Sequence, residues 1–397
     1  MLKFPIILDG ATGSELIARG LPTGVCPEEW ILNNPDVAQG LQKEYIASGS
    51  RVVLAPTFGA SLPKLSQYGL SDRIKEMNEA LVKLSKTAAG EDAIVAGDVS
   101  ASGLFIAPYG DESMQSLVDI YSAQLCHLHG ADILLSETNI TIADARAAVI
   151  AAKRIFHKPV FVTFTVDADG RTVTGATAAA ALVIFRAMGV SAFGFNCGAG
   201  PAEMVGVAKK ISELAGGFPI IAKPNAGLPT LCDGEEKYSM EPREFASYAE
   251  ELAQSGVLVF GGCCGTGPKH IRALADEVLK LSFENPSYSA EEYLATEREI
   301  IRCSDVSMSE EITCSEFLMD DLMDCLDVCP LVRIACDEDV KNLEENQHAA
   351  AMPVIIACDD DNLLDKALLS YNGRAGVKSA APRAQELAKF YGAYIFG

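Results

Sequence analysis

Val257-Leu258-Val259-Phe260-Gly261-Gly262-Cys263-Cys264-Gly265-Thr266-Gly267-Pro268 is the stretch from which the rest is read. An apolar run, Val257–Phe260, passes into a glycine-rich turn and then into a helical pattern, Lys269–Leu281. Glycines let the backbone turn sharply and approach a bound group closely. Two adjacent cysteines in such a turn aim their thiols at whatever lies above the strand. A third cysteine stands in the same kind of position upstream, in Phe193-Gly194-Phe195-Asn196-Cys197-Gly198. We read Cys197, Cys263 and Cys264 as three thiolate ligands of one zinc ion per chain, with the fourth position open to a substrate. The competing reading is that Cys197 is an ordinary buried cysteine and the Cys263-Cys264 pair an accident of sequence, since free cysteine is often buried.

Working outward, short apolar runs alternate with helix-length segments from residue 5 onward. The runs are Pro5–Leu8, Arg51–Ala55, Ala93–Gly97, Ile133–Ser136, Val160–Phe164, Ala192–Phe195, Pro219–Ala222 and Val257–Phe260. They are apolar on both faces, as a covered parallel sheet requires. Between them, spacing predicts helices over Pro35–Ser48, Ser71–Ala89, Ser113–His129, Thr141–Phe156, Ala176–Met188, Pro201–Leu214 and Pro242–Gln254, with Pro268–Leu281 after the last run. In Thr141–Phe156, Ile142, Ala145, Val149 and Ala152 recur at helical steps, with Thr141 and Asp144 suited to the first turn. Gly130, Gly189, Gly216 and Gly256 fall where a helix C-cap needs positive φ. Eight such units in about 285 residues are the count of a (β/α)8 TIM barrel, although an open doubly wound sheet also accommodates eight strands. Asp9, Asp98, Glu137, Cys197, Lys223, Asn225, Cys263 and Cys264 all lie at or just past a run's C-terminal end, where a barrel collects its chemistry.

The remainder changes character. Phe283–Ser289 reads as a linker, dividing a barrel over residues 1–285 from a smaller α/β domain over 286–397. Ala290–Asp327 reads as helical and acidic. Three α/β steps follow, on Leu331–Cys336, Val354–Cys358 and Ala375–Lys378, with Ala393–Phe396 as a last strand. Asp359-Asp360-Asp361 reads as a solvated loop and helix start. Cys303, Cys314, Cys325, Cys329, Cys336 and Cys358 have no metal-ligand spacing and are expected to be structural.

The chain has 397 residues, is 49% hydrophobic and carries a formal net charge of −22. That balance argues against nucleic acid or an anionic membrane as partner. No export segment is evident, and the 12 scattered cysteines are expected as free thiols in a reducing cytoplasm.

A centre of three thiolates and one zinc carries a charge of about −1, which suits holding a further thiolate better than hydrolysing water. A free alkyl thiol, with a pKa near 8.5, is mostly protonated at neutral pH, and metal coordination ionises it. The site therefore favours S-alkylation.

Six ordered motifs sharpen this: Asp9-Gly10-Ala11-Thr12-Gly13-Ser14-Glu15-Leu16, Ala55-Pro56-Thr57-Phe58-Gly59-Ala60, Ser136-Glu137-Thr138, Gly194-Phe195-Asn196-Cys197, Lys223-Pro224-Asn225-Ala226-Gly227 and Gly261-Gly262-Cys263-Cys264-Gly265-Thr266. Together they resemble the homocysteine S-methyltransferase family, over roughly residues 1–282. The resemblance implies zinc on Cys197, Cys263 and Cys264, and the ammonium of homocysteine between Asp9 and Glu137. It further implies that backbone N–H groups around Ala11, Thr12 and Gly13 hold the carboxylate, and that Asn225 serves as a temporary fourth ligand of the empty site. An ammonium does want two carboxylates, and a carboxylate suits N–H groups at a helix start. Read alone, Asp9 also fits a turn or cap position before a helix, the lesser of the two readings. The sequence departs from the family in two places. Asp98-Val99-Ser100-Ala101-Ser102-Gly103 replaces a Gly-Pro pair usual in cobalamin-dependent members, and Lys223 stands where some relatives have Glu. Met352–Cys358, Ala367–Lys378 and Ala388–Ile395 resemble the middle of a pterin-binding barrel, with no folate motif traceable, so folate binding is not expected.

The expected activity is zinc-dependent methyl transfer to L-homocysteine, giving methionine. No cobalamin-binding Asp-x-His-x-x-Gly motif is present. Methylcobalamin as donor would therefore come on a separate corrinoid protein, with the tail as a docking or homodimerisation element. S-methylmethionine or a betaine is the alternative donor. A non-catalytic zinc- or thiol-binding partner module is the alternative of a different class.

Overall fold

Runs that are apolar on both faces and rich in β-branched residues form strands when both faces are covered. In the computed structural model, which describes residues 3–232, 235–283, 291–315 and 317–396, every one of the eight runs does so. They are β1 (Ile6–Ile7), β2 (Val52–Leu54), β3 (Ile94–Ser100), β4 (Ile133–Asn139), β5 (Val160–Phe164), β6 (Ala192–Asn196), β7 (Ile220–Lys223) and, after a hairpin of β8 (Thr230–Cys232) and β9 (Glu235–Lys237), β10 (Val257–Phe260). The strands are parallel, in the order β1-β10-β7-β6-β5-β4-β3-β2. The seam between β1 and β2 is joined by Arg51 N–H donating to Ile7 O at 2.7 Å and by Leu54 N–H donating to Asp9 Oδ2 at 2.8 Å. The expected α/β barrel is the fold.

Alternation along the strands separates two interiors. Leu8, Leu54, Ala96, Leu135, Phe161, Ile221 and Val259 belong to one buried cluster, the filling of the barrel. Val53, Val95, Leu134, Val162, Phe193 and Ile220 belong to another, which meets the helices. Continued by twos, the inward positions end in Asp98, Glu137, Asn196 and Lys223.

The helix expectations hold with local corrections. Thr141 caps Ile142–Ala151, its Oγ1 accepting from Asp144 N–H at 3.2 Å. That helix then closes through a wider turn, Ala152–Phe156. Pro242–Gln254 breaks into Pro242–Ala246 and Ala249–Gln254. Gly189, Gly216 and Gly256 take positive φ as expected, but Gly130 does not. A Cβ on Gly130 would come within 2.9 Å of Val82 Cγ1, so helix packing calls for glycine there. The short helices Gly13–Ala18, Pro27–Asn33 and Leu62–Ser66 went unpredicted, being too brief for periodicity.

The expected linker, apart from Phe283, and with it the proposed boundary after residue 285, lies outside the described residues. Beyond it, the expectation of a helical Ala290–Asp327 is corrected. β11 (Tyr293–Ala295) and β12 (Ile300–Arg302) form an antiparallel hairpin, and β13 (Met308–Thr313) is a strand; among the described residues of this range only Leu318–Asp324 is α-helical. Parallel pairing with the next strand overrides the helical propensity of the acids. The three expected α/β steps supply β14 (Cys329–Arg333), β15 (Ile355–Ala357) and β16 (Gly376–Lys378), and the last strand is β17 (Tyr394–Ile395). β13 to β17 run parallel in chain order, as an arc of a barrel does. Asp360 caps Asp361–Ser370, accepting from the N–H groups of Asn362 and Leu363. Cys314, Cys325, Cys329 and Cys358 are buried, as structural cysteines should be, whereas Cys336 is exposed. Among the described residues no helix is long and apolar enough to cross a membrane.

Two cations of the barrel's Thr141–Phe156 segment tie this second sheet down. Arg146, 1% exposed, donates to Leu368 O at 3.0 Å and Gly373 O at 3.3 Å. Lys153 donates to Met188 O at 3.0 Å and to Phe390 O. Leu368 and Phe390 lie in the last turns of Asp361–Ser370 and Ala384–Tyr391, where a cation meets the negative end of a helix. Arg146→Ala is expected to lower unfolding free energy by about 3 kcal/mol, since it strands buried carbonyls. A urea midpoint equal to the parent's would contradict the assignment.

Candidate metal centre

The three cysteines are placed by hydrogen bonds to the end of β7. Cys197, immediately after β6, has φ 57°, a left-handed conformation costing a non-glycine residue about 1 kcal/mol or more. Its N–H donates to Lys223 O at 3.2 Å. After β10, Cys263 N–H donates to Pro224 O at 2.8 Å, and Ala226 N–H donates to Cys264 O at 2.9 Å. Glycine is required at 262, immediately before the pair, because a Cβ would lie 2.2 Å from Thr266 Oγ1. That hydroxyl donates to Cys263 O at 2.6 Å.

The outcome is three partly exposed free thiols whose sulfurs lie within 4.8 Å of one another, with Cys197 and Cys264 at 4.0 Å. A tetrahedral zinc with bonds of about 2.3 Å sets sulfurs about 3.8 Å apart. The set fits such an ion once the sulfurs draw in, by about 1 Å at most. It is the only group of three or more candidate ligands among the described residues. Asn225, 2% exposed, has an Oδ1 with no hydrogen-bond partner, which suits a cation or a donor placed nearby. Hydrogen bonds from Cys263 and Cys264 hold Cys197 well below the ordinary thiol value, and the same bonds push those two up. Crowded sulfurs do not all ionise against one another unless a cation compensates them.

Asn196 steadies the neighbourhood. Its Oδ1 accepts from Thr138 N–H at 2.9 Å and Thr163 Oγ1 at 2.8 Å. Its Nδ2 donates to Thr138 Oγ1 at 2.8 Å and faces Cys263 Sγ at 3.8 Å. Thr138, beside Glu137, is itself left-handed at φ 58°.

Next to the thiols lies a wall of buried charge. Lys223 Nζ is bonded to Glu137 Oε2, with the two residues 2% and 8% exposed. Asp9 and Asp98 are also buried, and each has an Oδ1 without a partner. Burial pushes the Asp9 carboxyl up to about 7, against the pull of Lys223. Burial, reinforced by Glu137, raises Asp98 well above the usual range. Burial also raises Glu137, with Lys223 opposing. Burial alone would lower Lys223, but Glu137, Asp9, Cys263 and Asp98 more than offset it.

Of the residues singled out in the sequence, Cys197, Cys263, Cys264, Glu137 and Asn225 come to one mouth of the barrel. Asp9 sits at the β1–β2 seam, within electrostatic reach of Glu137 and Lys223. Ala11 is corrected: its N–H already donates to Thr266 O at 2.9 Å. Thr12 and Gly13 remain, at the start of Gly13–Ala18, where the first N–H groups have no acceptor within the helix. Sequence reasoning passed over Asn196; it set Asp98 and Lys223 at strand ends without assigning either a role, and noted Lys223 also as a departure from the family. Counting inward positions by twos along β3, β6 and β7 points all three into the barrel.

Fold and site together define an α/β barrel that carries a three-thiol centre at its strand ends. The profile described as homocysteine S-methyltransferase matches residues 6–278. The chain is 33% identical over 295 residues to the methionine synthase of Mycobacterium tuberculosis and 32% over 294 to that of Mycobacterium leprae. These matches take in 69% and 68% of this chain but 24% of either relative, so the chain spans about a quarter of their length. The metallated form of the Escherichia coli homocysteine methyltransferase MmuM superposes with TM-score 0.59 at 20% identity, covering 68% of this chain and 95% of that one. Its oxidized form gives 0.58 at 22%, with the same coverage. The chain belongs to the homocysteine S-methyltransferase family.

Asp9 offers a check on the charged wall. Its folded value lies above the unfolded 3.8, so the stabilisation tied to its protonated form is complete below about pH 4 and lost as pH rises through about 7. Asp9→Asn abolishes this dependence. The stability of wild type minus that of Asp9→Asn, from urea unfolding, is expected to fall between pH 4 and 8. A constant difference would contradict the burial argument.

Proposed function

We propose that the chain is a cytoplasmic, zinc-dependent methyltransferase that methylates the thiol of L-homocysteine to give methionine, taking the methyl group from a methyl-corrinoid protein supplied in trans. The observation that carries this reading is the convergence of Cys197, Cys263 and Cys264 at the mouth of a barrel of this family. Bound by those three sulfurs, zinc would supply the Lewis acidity that keeps a further thiol ionised at neutral pH. The residues do the rest. Glu137 and Asp9 accept the substrate ammonium, and the N–H groups of Thr12 and Gly13 meet its carboxylate. Asn225 offers its free carbonyl oxygen to the centre, and Asn196 fixes the direction of the Cys263 sulfur. Held by both ends, the substrate sulfur attacks the methyl carbon in line: the new S–C bond forms as the methyl group's bond to its donor breaks. The acid-rich mouth gives some support to the second reading, a small cationic donor such as S-methylmethionine or a betaine.

Purified protein incubated with homocysteine and, separately, methylcobalamin, S-methylmethionine, betaine or methyltetrahydrofolate tests the proposal. Methionine should form with methylcobalamin, and Cys264→Ala should lose both zinc and turnover. Full zinc in Cys264→Ala would refute the ligand set, and no methionine with any donor would favour a non-catalytic partner module. Asn196→Ala should keep the fold and bind zinc about 10- to 100-fold more weakly in a chelator competition. Unchanged affinity would leave Asn196 without its positioning role.

A further inference from the structure

Glu137, the carboxylate offered above to the substrate's ammonium, already holds one: Lys223 Nζ is bonded to its Oε2. This lysine is built into the barrel. It is the inward residue ending β7, it is 2% exposed, and its carbonyl accepts from Cys197 N–H at 3.2 Å. A Cβ on Gly261 would come within 3.1 Å of its Cγ, so glycine at that position clears room for the stem. Asp9 and Asp98 face the same ammonium electrostatically, and each has an oxygen without a partner. The protein thus provides a fixed cation where the substrate would otherwise be the sole source of one.

We infer that Lys223 is a specificity-determining residue: by giving Glu137 an ammonium of its own, it lets the thiol pocket take ω-mercaptocarboxylates that lack an amino group as well as homocysteine. The inference rests on the thiol-binding reading above. With Glu137 unpaired, a thiol without an ammonium would leave a buried carboxylate uncompensated, a heavy penalty that an amino thiol escapes. Lys223 removes that penalty. It also sets a like charge against any second ammonium entering the pocket. Both effects narrow the preference for amino thiols, and selectivity is only such a difference.

The test is equilibrium dialysis of the zinc-loaded full chain against L-homocysteine and its desamino analogue, 4-mercaptobutyrate. The two dissociation constants are expected to lie within about tenfold of each other. Lys223→Met should widen the ratio in favour of homocysteine by about tenfold or more, chiefly by weakening 4-mercaptobutyrate. Lys223→Met/Glu137→Gln, which removes both charges, should return the ratio to near that of wild type. A preference for homocysteine above about 100-fold in wild type overturns the inference without any variant, as does an unchanged ratio in Lys223→Met. Binding of neither thiol by the zinc-loaded wild type rejects the thiol-binding reading itself, and the inference falls with it.

Discussion

The mouth of this barrel hangs from the end of one strand. The last residue of β7, Lys223, gives its carbonyl to Cys197 N–H, and the next, Pro224, gives its carbonyl to Cys263 N–H. Two loops that are distant in the chain are thereby held over the same spot. Proline suits its position because it has only an acceptor to offer. A slip of one residue in β7 would turn the Lys223 side chain outward and break both attachments, since strand faces alternate. Ring closure supplies the rest of the constraint, setting β6 and β10 on either side of β7. The left-handed residues Thr138 and Cys197 are strained positions beside functional ones, held there by surroundings that leave no alternative.

That arrangement explains why part of the molecule was legible in the sequence and part was not. A covered parallel strand is a short apolar run, and Val160–Phe164 and Val257–Phe260 were read to the residue. A ligand set is legible because thiols beside glycines at strand ends have few bland uses. Ala290–Asp327 misled because its acids suggest helix, while the partner strand that makes β13 a strand lies outside that window. Ala11 misled for a related reason: its N–H is spent on Thr266 O, a residue more than 250 positions away in the chain. Lys223 was visible as a departure, but its pairing with Glu137 depends on two inward positions three strands apart in the barrel, on β7 and β4, which no local window contains.

The charged wall and the thiol centre are coupled through desolvation. Asp9, Asp98 and Glu137 are pushed toward their protonated forms by burial, and Lys223 opposes this at all three, joined by Lys64 at Asp98. Asp9 belongs to both fold and site, because its Oδ2 bridges the β1–β2 seam while its charge is felt at Lys223. The sheet of β13 to β17 has a simpler relation to the barrel. Arg146 and Lys153 seat two of its helix ends on the barrel's flank, away from the mouth where the cysteines lie.

The central claim is that three sulfurs of this chain share one zinc ion and leave room for a fourth. Zinc-edge X-ray absorption of the zinc-loaded protein measures this directly. The account predicts three sulfur neighbours at about 2.3 Å, rising to four when homocysteine is added. Two or fewer sulfurs, or a count unaltered by homocysteine, would contradict it.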